Sequence, residues 1–315
     1  MENKAVKSMA MAFFVIVCLV CVDAPRAFAD GDVCSANEIQ AAEGALKKAE
    51  AAEKAGKIKD AYNAATQSFS SIYCAEDAYK RRGGIIERTS RKLGAQAEKA
   101  GRFGEAFEYY YKPYSMGRSD YPLIDADRAM LRHAKAAPES YKTVSEAVAY
   151  FDLREGKPHL KEAQALARSA GDKALAKEEK NFLARKDSLE DLSKARQWFG
   201  LSGEAHRASE RAVQRGDAMF AEDSLKFLER AISYYEFADD RERVQKVRDK
   251  ARNLGDAYLK KGDRKMAARY YEVAGLNDKA AELEKAVEEE KEKAEGKRQE
   301  KFKEGQQSLE KELGF

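Results

Sequence analysis

The sequence predicts an all-α chain of stacked helical hairpins, closed by a long charged helix. Three observations carry that prediction. Ala, Glu, Lys, Arg and Leu, all strong helix formers, dominate the 315 residues, and only five prolines interrupt them. No hairpin-like NG or DG dipeptide sits between alternating apolar runs, so strands have no turn signal. A helix end, a Gly and a helix start are written in one format more than once. EKAGKIKDAY (Glu53 to Tyr62) and EKAGRFGEAF (Glu98 to Phe107) share their first four letters, a basic fifth residue, an acid at the eighth place, then Ala and an aromatic. YLKKGDRKMAAR, around Gly262, is a looser third copy.

The elements follow in chain order. Residues 1–29 read as a signal peptide. Lys4 and Lys7 precede the apolar run MAMAFFVIVCLVCV (Met9 to Val22), and Ala27-Phe28-Ala29 supplies a cleavage signal, so the exported chain is expected to begin at Asp30. The alternative, an uncleaved anchor, needs a longer apolar run than this one. A lipoprotein is a lesser reading, because Cys18 and Cys21 each follow Val where a small residue is wanted. No later stretch is apolar enough to cross a bilayer, so no integral membrane segment is expected after signal cleavage.

Two cysteines then remain, Cys34 and Cys74. In an oxidising compartment an isolated pair is most simply a disulfide, against the alternative of two unrelated buried thiols. Closing a loop of about 40 residues would stabilise the fold by ~4 kcal/mol on the chain-entropy model. A first helix is expected from about Ala36 to Ala55 and a second from about Ile58 to Ile72, which brings both cysteines to one end of a hairpin as a staple.

Next, SRKLGAQAEKA carries Leu93, Ala97 and Ala100 at helical spacing, and FGEAFEYYYK carries Phe103, Ala106, Phe107 and Tyr110 on one face. Gly101 between them stands where a left-handed residue ends a helix most cheaply. From Asp120 to Pro158 the pattern loosens under Pro113, Pro122, Pro138 and Pro158. DADRAMLRHAKAA and ESYKTVSEAVAYF still read as helices broken by Pro138. Further on, RSAGDKALAKEE reads as another turn, with Gly171 five before Ala176 as Gly262 precedes Ala267. YYEFA at Tyr234 to Ala238 precedes YYEVA at Tyr270 to Ala274 by 36 positions, and GLSGEAHRASERAV echoes GLNDKAAELEKAV. The tail from Lys279 is charged. Its stripe of Leu283, Val287, Ala294, Phe302, Leu309 and Leu313 is thin, and Gly296 and Gly305 interrupt it, so a frayed exposed helix competes with a coiled-coil partner.

This pattern resembles tetratricopeptide repeats, hairpins of about 34 residues with small, aromatic and turn-Gly steps. NLGDAYLKKGDRKMAARYYEVAG fits best, through Leu254, Gly255, Tyr258, Gly262, Ala267, Tyr271 and Ala274. The segment around Leu93, Gly94, Gly101, Ala106 and Tyr110 fits next, departing at Ala97 and Pro113. The hairpin around Gly56, Ala61 and Ala65 fits least. The resemblance implies a TPR-like fold: a right-handed superhelical solenoid of stacked antiparallel helical hairpins. An irregular helical bundle is the alternative. The implied organisation is a signal peptide at 1–29, N-terminal hairpins at 30–112, and an irregular helical hinge at 113–160. C-terminal hairpins at 161–278 and a capping or exposed helix at 279–315 complete it.

Chemistry has little to stand on. His133, His159 and His206 lie apart, without a second ligand at metal spacing, and no phosphate loop, G-x-S-x-G or H-E-x-x-H occurs. Glu139-Ser140-Tyr141 superficially resembles the Glu-Ser motif of murein-cleaving transglycosylases, but no Gly-Leu-Met-Gln stretch follows. Glu139 after Pro138 is better read as a first-turn acid. A non-catalytic protein without metal or cofactor is expected. Charged residues make up 36% of the chain yet nearly cancel at +3, which gives no argument for nucleic acid or an anionic membrane.

By the resemblance, groove-facing steps fall on Arg91, Lys92, Arg252, Asn253 and Asp256, where a partner's acidic side chain or terminal carboxylate could be held. The second tyrosine of each YYE is expected in the packing. Tyr111 and Tyr114, beside Pro113, are the tyrosines expected to be exposed, and they are the ones a carbohydrate or cell-wall ligand would use. The expected function is therefore an exported, periplasmic protein-binding scaffold of the bacterial envelope. A cell-wall binder and a transglycosylase-like enzyme are the alternatives, and the C-terminal helix is a candidate for self-association.

Overall fold

The computed structural model describes residues 35–67, 76–184, 186 and 188–313, and for 76, 306 and 308–313 the backbone alone. The signal peptide, Cys34 and Cys74, and with them the expected disulfide, lie outside the described residues. Among the described residues there are thirteen helices and no strand. The chain divides into two compact units after Leu166.

The first unit holds α1 (Ala36–Lys54), α2 (Ile58–Thr66), α3 (Glu76–Lys99), α4 (Phe103–Ser115), α5 (Ile124–Ala136) and α6 (Tyr141–Leu153), and the start of α7 (Leu160–Leu183). From α1 to α6 each helix packs on the next in sequence. The second unit continues through the rest of α7 to α8 (Leu189–Ser202), α9 (His206–Phe220), α10 (Leu225–Phe237), α11 (Arg241–Lys260), α12 (Arg264–Val273) and α13 (Asn277–Leu313). From α8 onward consecutive helices again pack together. Buried side chains form separate small clusters, each drawn from a few neighbouring helices, with alanines in each of them. That is how a helical solenoid buries its apolar stripes: locally, hairpin on hairpin.

The repeated format does what its residues require. At Gly101 (φ 73°) the chain turns left-handed. The Gly101 N–H then donates to the Glu98 carbonyl, and the Arg102 N–H donates to the Ala97 carbonyl. This bond pair is the Schellman motif, which satisfies carbonyls that a helix end otherwise orphans. The same pair closes α1 at Gly56 and α11 at Gly262. It also closes α10 at Asp239, a non-glycine held at φ 59°. No glycine marks that turn in the sequence.

Three expectations are corrected. Gly171 is not in a turn: α7 runs unbroken from Leu160 to Leu183. A Cβ at Gly171 would stand 2.6 Å from a Phe199 ring atom, so this glycine admits a ring rather than bending the chain. Pro113 does not end α4 but lies buried in its last turn. At position 113 the ring removes the i→i−4 bond that a backbone N–H would give to the Tyr109 carbonyl, and the helix still runs on to Ser115. Finally, α2 stops at Thr66, short of Ile72, where Gln67 turns extended. The buried Arg82 donates there to the carbonyls of Ala65 (2.7 Å) and Gln67 (3.1 Å), capping the helix end.

Candidate functional site

The fold's repeated device decides which residues face outward. Gly94, Gly216 and Gly255 each lie in mid-helix, where an added Cβ would meet a tyrosine ring at 2.5 Å (Tyr110), 2.5 Å (Tyr235) and 2.9 Å (Tyr271). The ring of one helix thus lies flat on the bare backbone of another. Each hydroxyl then donates to an acid near that glycine: Tyr110 to Glu98 (3.0 Å), Tyr235 to Asp217 (2.7 Å) and Tyr271 to Asp256 (2.5 Å). A cation from a later helix completes each link. Arg128 and Arg132 of α5 approach Glu98 (3.3 and 3.2 Å), Arg243 of α11 approaches Asp217 (3.4 Å), and Lys279 of α13 approaches Asp256 (3.3 Å). A chain of tyrosine, acid and base therefore ties one hairpin to the next.

The titration of these groups reflects that wiring. Burial first, then the Glu98 carboxylate, pushes the Tyr110 hydroxyl up to about 12. Burial and Asp217 likewise raise Tyr235. The Tyr271 hydroxyl, then Lys279, holds Asp256 below its ordinary value. A lowered folded-state carboxylate contributes stability above its unfolded pKa, and that contribution fades as pH falls through the folded one.

The expected partner-binding residues divide accordingly. In the first unit Arg91 is exposed, pairs with Glu87 (3.2 Å) and lies over the Tyr121 ring (5.6 Å). Lys92 beside it is exposed. In the second unit Arg252 pairs with Asp249 (3.3 Å), and Asn253 is exposed. Asp256 is not a free group, because Tyr271 and Lys279 occupy it.

Tyr111 and Tyr114 also part company. Tyr111 is half-buried, stacked on Phe107 (5.4 Å) and edge-on to Tyr150 (5.8 Å), whereas Tyr114, tilted against it, is 37% exposed. The expectation of exposure therefore fails for Tyr111, which the aromatic cluster of α4 and α6 absorbs. Beneath that cluster the buried Asp127 accepts from the Tyr150 hydroxyl (2.8 Å) and from Arg154 through two bonds (3.0 and 3.1 Å). Ile124, one turn before Asp127, and Leu153, beside Arg154, are both largely exposed. The second tyrosines of both YYE stretches, Tyr235 and Tyr271, are buried as expected.

The residues with enzyme-like spacing have structural employment. Ser140 is the N-cap of α6 and accepts from the Thr143 N–H (3.3 Å), with Glu139 exposed just before it. His159 contacts Glu162 (2.8 Å), and the His133 ring packs beside Gly104. Among the described residues no group of three His, Cys, Asp or Glu is placed to hold a metal, and no helix is long and apolar enough to cross a membrane.

Sequence reasoning missed the most buried charge. Glu178 of α7 has no exposed surface, yet it takes two bonds from Arg215 of α9 (2.9 and 3.0 Å) and one from the Ser188 hydroxyl (3.0 Å). With its proton committed to Glu178, Ser188 accepts from Tyr234 (2.8 Å). Arg215 also meets Glu179 and lies 4.0 Å from the Phe182 ring centre. Desolvation lowers the Arg215 guanidinium, but the two carboxylates outweigh it and hold its pKa above the ordinary value. One of the two glutamates in the run KEEK gives no sequence signal of burial. A scan against protein-family models finds no match for this chain, and a search of curated proteins finds none either.

Proposed function

We propose that this protein is an exported, non-catalytic protein-binding scaffold of the bacterial cell envelope, with TPR-like hairpins stacked antiparallel into a right-handed superhelix. The observation that carries the reading is the recurrent packing of a ring on a glycine at Gly94, Gly216 and Gly255. It closes the two helices of each of these hairpins on one another by the same contact, and the cation of the following helix ties the acid beside it to the next hairpin. Solenoids bind extended peptides and helices along such faces. Arg91 with Lys92, and Arg252 with Asn253, are the exposed groups at the repeated steps. Arg91 and Arg252 are themselves about half exposed, so their pairs with Glu87 and Asp249 are solvent-screened and each gives up little to accept a partner's carboxylate instead.

The test is affinity capture from envelope extract with the wild type and an Arg91→Glu, Arg252→Glu variant. A stoichiometric protein partner retained by the wild type and lost by the variant, with helical content unchanged, supports the reading. Equal capture by both assigns the binding elsewhere.

A second reading, a cell-wall or carbohydrate binder, is favoured by one observation: Tyr114 stands exposed at the edge of an aromatic cluster. Co-sedimentation with murein that Tyr114→Ala reduces roughly tenfold, an effect of stacking magnitude, would select it. No murein retention by the wild type removes it.

A further inference from the structure

The last helix extends beyond anything that supports it. Through Val287, α13 keeps some apolar contact with its own chain: Ala280 is buried, while Leu283 and Val287 are half-buried. Every side chain from Glu288 to Gly305 is exposed, and Phe302 is 67% exposed. A helical stretch of this length is marginal in water without a packing surface. Its charges are also sorted. Glu288, Glu289, Glu290, Glu292 and Glu295 make the first half acidic despite Lys291 and Lys293. Lys297, Arg298, Lys301 and Lys303 make the next part basic despite Glu300.

We propose that this segment pairs antiparallel with the same segment of a second copy of the chain. Antiparallel pairing about a centre near residue 295 sets the acidic stretch 288–295, in which Glu290 already contacts Arg264 of its own chain, alongside the basic stretch 297–303 of the second copy. Gly305 falls opposite Ala286, where its missing side chain lets the helices approach. Parallel pairing instead sets acid on acid and base on base, which is destabilising. Charge order thus selects both the occupant, a second copy of this segment, and the antiparallel direction. The two-fold contact is closed, giving a dimer rather than a filament. The proposal is independent of the partner-binding reading above.

Sedimentation equilibrium on the purified protein, from micromolar to millimolar concentration, tests it. The wild type is expected to dimerise as concentration rises and to dissociate as salt screens the pairs. Phe302→Glu should weaken the dimer by roughly tenfold, equivalent to about 1.4 kcal/mol. Two block reversals follow. An acidic variant carries Lys297→Glu, Arg298→Glu, Lys301→Glu and Lys303→Glu. A basic variant carries Glu288→Lys, Glu289→Lys, Glu290→Lys and Glu292→Lys. Each alone should stay monomeric with the helical content of the dilute wild type, and an equimolar mixture should form a heterodimer. A wild type that remains monomeric at millimolar concentration overturns the proposal. So does a reversed variant that self-associates like the wild type, or a mixture that fails to associate.

Discussion

Replacing Arg215 with Ala is expected to cost the second unit about 3–5 kcal/mol, because it strands a carboxylate with no exposed surface. Glu178 would keep the Ser188 hydroxyl and gain at most Arg211, which now stands 3.8 Å away and is committed to Glu179. The loss combines an unpaired buried charge with the removal of a planar guanidinium from the Phe182 face. The physical claim is that the pair matters through what its breaking exposes, not through net attraction. A double replacement, Glu178→Met with Arg215→Met, should therefore recover most of the stability that Arg215→Ala loses, since packed apolar groups carry no desolvation debt. Urea unfolding followed by the fluorescence of Trp198, the only tryptophan of the chain and a residue of α8, reads the result within the same unit. A loss below about 1 kcal/mol for Arg215→Ala would place this cluster among solvent-screened surface pairs and contradict its burial.

That cluster also shows where the sequence stops being legible. Helix ends were readable where the repeated format carried the left-handed Gly, at Gly56, Gly101 and Gly262, but not at Gly117, Gly203 or Gly275, which lie outside it and also have positive φ. The equivalent turn at Asp239 was invisible, since Asp tolerates this backbone without announcing it. Gly171 was misread because a glycine that admits a ring and a glycine that bends the chain are the same letter. Only a neighbour's ring, Phe199, distinguishes them. Burial of Glu178 depends on Ser188, Arg215 and Tyr234, which lie ten or more positions away and on different elements. Local periodicity sees none of that.

The candidate binding residues were half legible for a related reason. Resemblance could place Arg91 and Arg252 on an outward step, and they are exposed there. It could not show that Asp256, four positions after Arg252, is consumed by Tyr271 and Lys279. Nor could the run YYYKPY reveal which tyrosine the Phe107–Tyr150 cluster would absorb. Exposure of Tyr111 and Tyr114 is decided by α6, a helix the run does not contain.

The glycines under the tyrosine rings yield the sharpest sign test. In an ordinary helix interior Gly→Ala stabilises by about 1 kcal/mol through backbone propensity. Gly200, in α8 with nothing near its missing Cβ, should behave that way when replaced by Ala. Gly216→Ala should do the reverse. Its new methyl would sit 2.5 Å from a Tyr235 ring atom. Tyr235 cannot simply swing aside, because it is buried and its hydroxyl is held by Asp217 at 2.7 Å. Overpacking of this kind costs about 1–3 kcal/mol, enough to cancel the propensity gain and leave a net loss. Gly216→Val, with two further methyl groups, should lose still more. The mechanism predicts coupling as well as sign. In a Tyr235→Leu background the ring is gone, so Gly216→Ala should become nearly neutral, and the double-mutant cycle should show an interaction of about 1 kcal/mol or more. Additive effects would mean that the ring does not rest on the glycine. The same denaturation experiment reads all of these variants, since Gly200, Gly216, Tyr235 and Trp198 belong to one unit.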